Sequence, residues 1–175
     1  MKPAIIAIAK REHNYIREFV KYHLTLGFDT IFIYDNEEIP TYKNILKEFG
    51  DYVVVIHYPR REQPQIHAIL DFMKNIVFKY NITHAVSIDI DEFIVLKKHR
   101  NINEFITQYI HDDCAGIGIN WKFFGDNNLK TVENNNYSII ERFTKSDSSN
   151  RLDAAIKTLF DVTKFYRWAS GHHII

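Results

Sequence analysis

The chain has 175 residues, the length of one domain, and a core of that size needs neither disulfides nor a metal to fold. Its composition, 46% hydrophobic and 25% charged, excludes a disordered or low-complexity polymer. Lys plus Arg number 22 and Asp plus Glu number 22, and that balance argues against a broad electrostatic hold on nucleic acid or an anionic membrane.

Pro3 to Ala9 is a continuous apolar run and predicts a strand buried on both faces. Asn14 is placed to cap a helix whose apolar stripe is Ile16, Phe19, Val20 and Leu24. Gly27 suits the residue past its end. Thr30 to Tyr34 predicts a second buried strand, with Asp35-Asn36 as the turn after it. Tyr42 to Phe49 has helical character and stops at Gly50, and Tyr52 to Ile56 predicts a third strand. Pro64 opens a long helix in which Ile66, Ile69, Leu70, Met73, Ile76, Val77 and Tyr80 keep the 3.6-residue period. Thr83 to Ile88 predicts a fourth strand that runs straight into Asp89-Ile90-Asp91-Glu92. Phe93 to Leu96 suggests a short strand, and Asn103 to Ile110 a helix capped by Asn103. Cys114 to Trp121 and Ala154 to Phe160 predict two further strands, the second carrying Lys157. Between them, Gly125 to Ser149 is polar and loop-like.

This alternation predicts an α/β fold, a mostly parallel sheet with helices on both faces, in one domain spanning 1–175. The chain stops at Gly171-His172-His173-Ile174-Ile175 without a polar tail, as a truncated domain would. The single cysteine, Cys114, excludes an internal disulfide and a Cys-based zinc site. No apolar run approaches the roughly 18–20 residues of a membrane span, and Ala4 to Ala9 is too short for a signal-peptide core. The expected location is therefore cytoplasmic, with no transmembrane segment and no nucleic-acid partner.

In parallel α/β sheets, ligands bind beyond the carboxyl ends of the strands. The residues to weigh are therefore Lys10, Arg11 and Glu12, then Asp35 and Asn36, then Asp89, Asp91 and Glu92. The last group is the most informative. Three carboxylates within four residues repel one another unless a counter-charge intervenes. Oxygen-only ligands favour Mn²⁺ or Mg²⁺, which commonly bridge carboxylates to substrate phosphates. In an extended stretch Asp89 and Asp91 share one face and Ile90 enters the core. A solvated acidic turn is the plainer alternative.

An apolar strand ending in Asp-x-Asp resembles the metal and nucleotide-sugar motif of GT-A fold glycosyltransferases. The run Lys10-Arg11-Glu12, then Tyr22-His23-Leu24, Gly27-Phe28-Asp29 and Tyr34-Asp35-Asn36, is similar to the opening of family-2-like and family-92-like transferases. Gln65 and Ala68, Asp89-Ile90-Asp91-Glu92-Phe93 and Trp121-Lys122-Phe123-Phe124-Gly125 follow in the order seen there. The likeness spans nearly the whole chain. It departs at Asp126-Asn127-Asn128 and at the C-terminus, which bears on acceptor choice more than on donor chemistry.

The resemblance implies a GT-A, Rossmann-like fold and a metal-dependent transferase. A sugar would pass from a nucleoside diphosphate, of UDP type, to a hydroxyl of a carbohydrate, glycan or protein acceptor, with inversion. Charge builds on the leaving diphosphate, so Mn²⁺ or Mg²⁺ and nearby cations lower the barrier. Asp91 is the implied direct ligand, with Asp89 on the metal or the ribose and His172 as a further ligand. Lys10, Arg11, Glu12, Asp35, Gln65, Asp89 and Lys157 are the implied nucleotide-sugar contacts. Asp35 reads otherwise as a turn residue, and Lys157 as an edge-strand lysine. Trp121 and Phe124 would stack on the acceptor sugar, or else pack in the core. Asp126, Glu92 and Asp153 remain unranked as the catalytic base, and Glu92 has a second reading as support for the metal motif. His23 and His67 are expected to pack or cap. A haloacid-dehalogenase-like phosphatase and a non-catalytic nucleotide-sugar-binding domain are the competing readings.

Overall fold

Four parallel strands carry the first half of the chain. They are β1 (Pro3–Ala9), β2 (Thr30–Asp35), β3 (Val53–His57) and β4 (His84–Ser87). The computed structural model describes residues 1–128, 131, 138–147 and 151–165. Strands β5 (Gly116–Asn120) and β6 (Ile156–Asp161) complete a six-stranded sheet in the order β3-β2-β1-β4-β6-β5. Because β6 is antiparallel to both β4 and β5, it alone runs against the other five strands.

Successive side chains of a strand face opposite ways, so each buried strand feeds two cores. From β1, Ile5, Ala7 and Ala9 pack with Ile16, Phe19 and Val20 of α1 (Ile16–Thr25), Tyr42 of α2 (Tyr42–Ile45), and Ile102 and Ile106 of α5 (Ile102–Tyr109). Ala4 and Ile6 pack on the other face, against Ala68 and Ile69 of α3 (Pro64–Asp71) and Val77 of α4 (Val77–Tyr80). Helices thus cover both faces, as expected. The long helix from Pro64 to Tyr80 is present but contains a π turn over Phe72–Ile76. The short helix α6 (Ile139–Arg142) is tied to α1, because Glu18 accepts from the Ser138 hydroxyl (2.5 Å) and the Ile139 N–H (2.7 Å).

Several local expectations need correction. Asn14 does not cap α1; the Glu12 carbonyl accepts from the N–H groups of Tyr15 and Ile16 instead. Asn101 rather than Asn103 caps α5, accepting from the Glu104 N–H at 3.0 Å. The segment Phe93 to Leu96 is irregular rather than a strand. Among the described residues no helix is long and apolar enough to cross a membrane.

His23, on α1, is fully buried among the rings of Phe19, Tyr22, Phe28 and Phe93. Its Nδ1 donates to the Phe19 carbonyl (2.9 Å), and its Nε2 accepts from the Ile94 N–H (3.3 Å), so the ring is neutral and its tautomer is set. Burial lowers its pKa from 6.5 to about 4. Below pH 6.5 the unfolded chain binds the proton and the folded one does not. Stability is therefore complete above pH 6.5 and falls as the pH drops toward 4, by on the order of 3 kcal/mol in total. Denaturant melts between pH 8 and pH 4.5 should show a flatter slope for His23→Gln than for the native chain; equal slopes would mean that His23 is not the titrating group.

Candidate active site at the carboxyl edge of the sheet

The parallel register brings four strand ends to one edge. Ala9, Asp35 and His57 stand level at the ends of β1, β2 and β3. Strand β4 stops earlier, with Ser87 beside Ile6. The chain continues alongside β1 through Ile88, whose N–H donates to the Ile6 carbonyl at 3.1 Å. Asp35 and the acidic segment therefore share the carboxyl edge, as expected from the βαβ order.

The acidic segment is not extended. It closes a turn in which the Glu92 N–H donates to the Asp89 carbonyl (3.1 Å) and the Asp89 N–H donates to Glu92 Oε2 (3.0 Å). Ile88, Ile90 and Ile94 are buried, so three isoleucines root the turn in the core. Its counter-charge is Lys157, whose Nζ lies 3.0 Å from Asp89 Oδ2 and 3.3 Å from Glu92 Oε2. Lys157 is buried on a strand between two others, so the edge-lysine reading is wrong. Its ammonium sits 5.1 Å from the centre of the Trp121 ring.

Asp91 is left out of this network. It is exposed, and among the described residues it makes neither a hydrogen bond nor an ion pair. Its charge is felt next door. The Glu12 carboxyl is raised above its ordinary range, first by burial and then by the charges of Asp91, Asp89 and Glu37. An oxygen-only set at a spot of excess negative charge suits a hard divalent cation. Asp91 and Asp89 are the residues that could hold one. Among the described residues no group of three or more His, Cys, Asp or Glu side chains forms a metal cluster. His172 lies outside the described residues.

Asp35 is fully buried and its carboxylate is occupied. Oδ1 accepts from the Glu37 N–H (3.1 Å), and Oδ2 from the N–H groups of Thr41 (2.6 Å) and Tyr42 (3.0 Å). It shapes the loop after β2 and covers the open N-terminus of α2. Glu37 and Tyr42 were not singled out by sequence. Glu37 Oε1 accepts from the Arg11 N–H (2.5 Å) and the Tyr42 hydroxyl (2.9 Å), and that hydroxyl in turn accepts from the Glu12 N–H (2.9 Å). Arg11 is held at a φ of 64°, a conformation rare for a side chain of its kind. Lys10 and Arg11 point their charges into solvent at this edge, and Gln65 is exposed in the first turn of α3.

The three candidate bases separate. Asp126 is exposed and accepts from the Asn128 N–H (2.9 Å) in a turn. Asp153 pairs with the Lys122 ammonium and accepts from the Phe123 N–H (2.9 Å), and these bonds hold its carboxyl below the ordinary range. Glu92 goes the other way. Burial raises it to about 7, and Lys157 only partly offsets that rise. Glu92, Lys157 and Trp121 line a narrow cavity of about 40 Å³ with Ile88, Ile119 and Asn120. Trp121 is half-buried there, while Phe124 is 49% exposed and does not line the cavity.

Replacing Lys157 by Met should lower stability by on the order of 2 kcal/mol, because Glu92 then loses its cation while still largely buried. The half-exposed Asp89 contributes less. Protonated Glu92 needs no cation, so the deficit should be larger at about pH 8.5 than at about pH 5.5. Equal deficits at both values would show that packing rather than charge was lost.

Residues 6–167 match the family model described as Glycosyltransferase family 92. No curated protein matches the chain in sequence. Among solved structures it is similar to the crystal structure of 4-diphosphocytidyl-2C-methyl-D-erythritol synthase, with 11% identity, a TM-score of 0.50, and coverage of 92% of this chain and 75% of that one. That likeness speaks to the fold alone. The family match covers nearly the whole chain, including the acidic turn, its lysine and the loops after β1, β2 and β3, and the chain therefore belongs to glycosyltransferase family 92 and is a glycosyltransferase.

Proposed function

We propose that the chain is a GT-A-type, metal-dependent transferase that moves a sugar from a UDP-type donor to a hydroxyl of a glycan or protein acceptor, with inversion. The observation that carries this reading is the asymmetry of the acidic turn. Asp89 and Glu92 are held by one buried lysine, while Asp91 stands exposed at the carboxyl edge with no partner among the described residues. An exposed carboxylate beside two others, in an oxygen-only set, offers a hard divalent cation a place to bind.

Asp91, with the free oxygen of Asp89, would hold Mn²⁺ or Mg²⁺. Such an ion, when bound, supplies positive charge against the diphosphate leaving group. Lys10 and Arg11 add cationic charge at the same edge. The interlocked loops of Glu12, Glu37 and Tyr42 give the nucleoside a fixed wall. Glu92 has the proton affinity of a general base near neutral pH, and Asp153, held low by Lys122, does not. Trp121 and Phe124 offer ring faces to the acceptor side.

Asp91→Asn should abolish donor turnover while leaving the metal-free melting temperature equal to or slightly above the native value, since it relieves repulsion with Asp89 and Glu12. UDP-sugar hydrolysis in Mn²⁺ and in EDTA, paired with thermal melts, is the measurement. Native-like hydrolysis by the variant would remove Asp91 from the reaction. Collapse of the metal-free melt would make it a structural residue.

A further inference from the structure

From the geometry around Ile94 we infer that Tyr22 and His23 are positioning residues for the acidic turn; the inference rests on the metal reading of Asp91 given above. No regular secondary structure follows β4 until Ile102. The Asp89–Glu92 turn is therefore aimed by whatever fixes its two ends. Upstream, the Ile88 N–H is bonded to Ile6 of β1. Downstream, two consecutive residues of α1 grip both backbone groups of Ile94. The Tyr22 hydroxyl donates to the Ile94 carbonyl at 2.8 Å, and His23 Nε2 accepts from the Ile94 N–H at 3.3 Å.

The grip is itself held rigid. His23 is oriented by its bond to the Phe19 carbonyl. The Phe93 ring stacks on His23 at an interplanar angle of 17° and meets Tyr22 edge-on with centroids 5.2 Å apart. Asp91 thus lies three residues from a backbone clamp that belongs to a different element. A clamp of this kind acts on ligand geometry in the way an outer-sphere hydrogen bond orients a metal ligand. Each acts through Ile94.

The test uses the full chain, with Mn²⁺ as probe. Tyr22→Phe deletes one hydroxyl and keeps the ring. It should weaken Mn²⁺ binding, measured by calorimetry, by roughly tenfold and speed hydrogen exchange of the Glu92 and Ile94 amides. Phe28→Leu perturbs the same aromatic cluster and removes neither of the bonds to Ile94. It should lower the melting temperature at least as much and leave Mn²⁺ affinity unchanged. His23→Gln, able to accept from the Ile94 N–H, should keep more affinity than His23→Leu. Equal Mn²⁺ affinity for Tyr22→Phe and the native chain would overturn the inference. So would a loss that merely tracks melting temperature across all variants. Absence of Mn²⁺ binding by the native chain is a separate result: it would overturn the metal reading, and the clamp's role with it.

Discussion

One buried ammonium governs the site. Lys157 is the counter-charge for Asp89 and Glu92, and without it the two acids of the turn would lack a cation. Its position follows from strand direction. Val86 of β4 pairs with Leu159 of the antiparallel β6, so two residues further on Lys157 stands beside the chain leaving β4. Leu159 and Lys157 share a face, and Leu159 belongs to the core under α1 and α5. The lysine stem thus crosses apolar packing and delivers its charge just where the acidic turn begins. A parallel strand in that place would run its side chains past β4 in the opposite order.

That arrangement divides the work among the acids. Lys157 shares its one charge between Asp89 and Glu92, which stabilises the turn. The third, Asp91, keeps its charge in solvent. The Glu12 carboxyl nearby is raised first by burial and then by the charges of Asp91, Asp89 and Glu37. The observed mixture holds the turn together through Lys157 and leaves one carboxylate in solvent.

Much of the frame was legible because its signals are local. Continuous apolar runs gave β1, β2 and β4, and the 3.6-residue period gave the helix from Pro64 to Tyr80. The carboxyl-edge rule then gathered Asp35, Glu12 and Asp89 to Glu92 without knowledge of side chains. What escaped was set by non-local partners. The two acids were read as sharing an extended face because nothing in Asp89-Ile90-Asp91-Glu92 announces the reciprocal bonds that fold it into a turn. The alternative reading of Lys157 as an edge residue fails because β5 lies outside its strand in the sheet. Asp35 reads as a nucleotide contact or a turn residue, and only the fold shows that Thr41 and Tyr42, six and seven residues on, donate to it. Glu37 was invisible because its partners, Arg11 and Tyr42, come from two other segments.

The same reasoning explains why Tyr22 and His23 stand next to each other on α1. Consecutive helix residues do not usually act on one target, since their side chains leave the axis about 100° apart. Here the target is a strip of backbone with its N–H on one side and its C=O on the other. Side chains diverging from adjacent positions can therefore reach both groups of Ile94 at once. His23 takes the inner position because a neutral ring tolerates full burial, which its depressed pKa maintains at physiological pH. Tyr22 takes the outer one, where its hydroxyl can stay near solvent while its ring packs on Phe93. The pairing of one titratable and one amphipathic ring thus follows from the polarity of a single peptide unit and the side from which α1 approaches it.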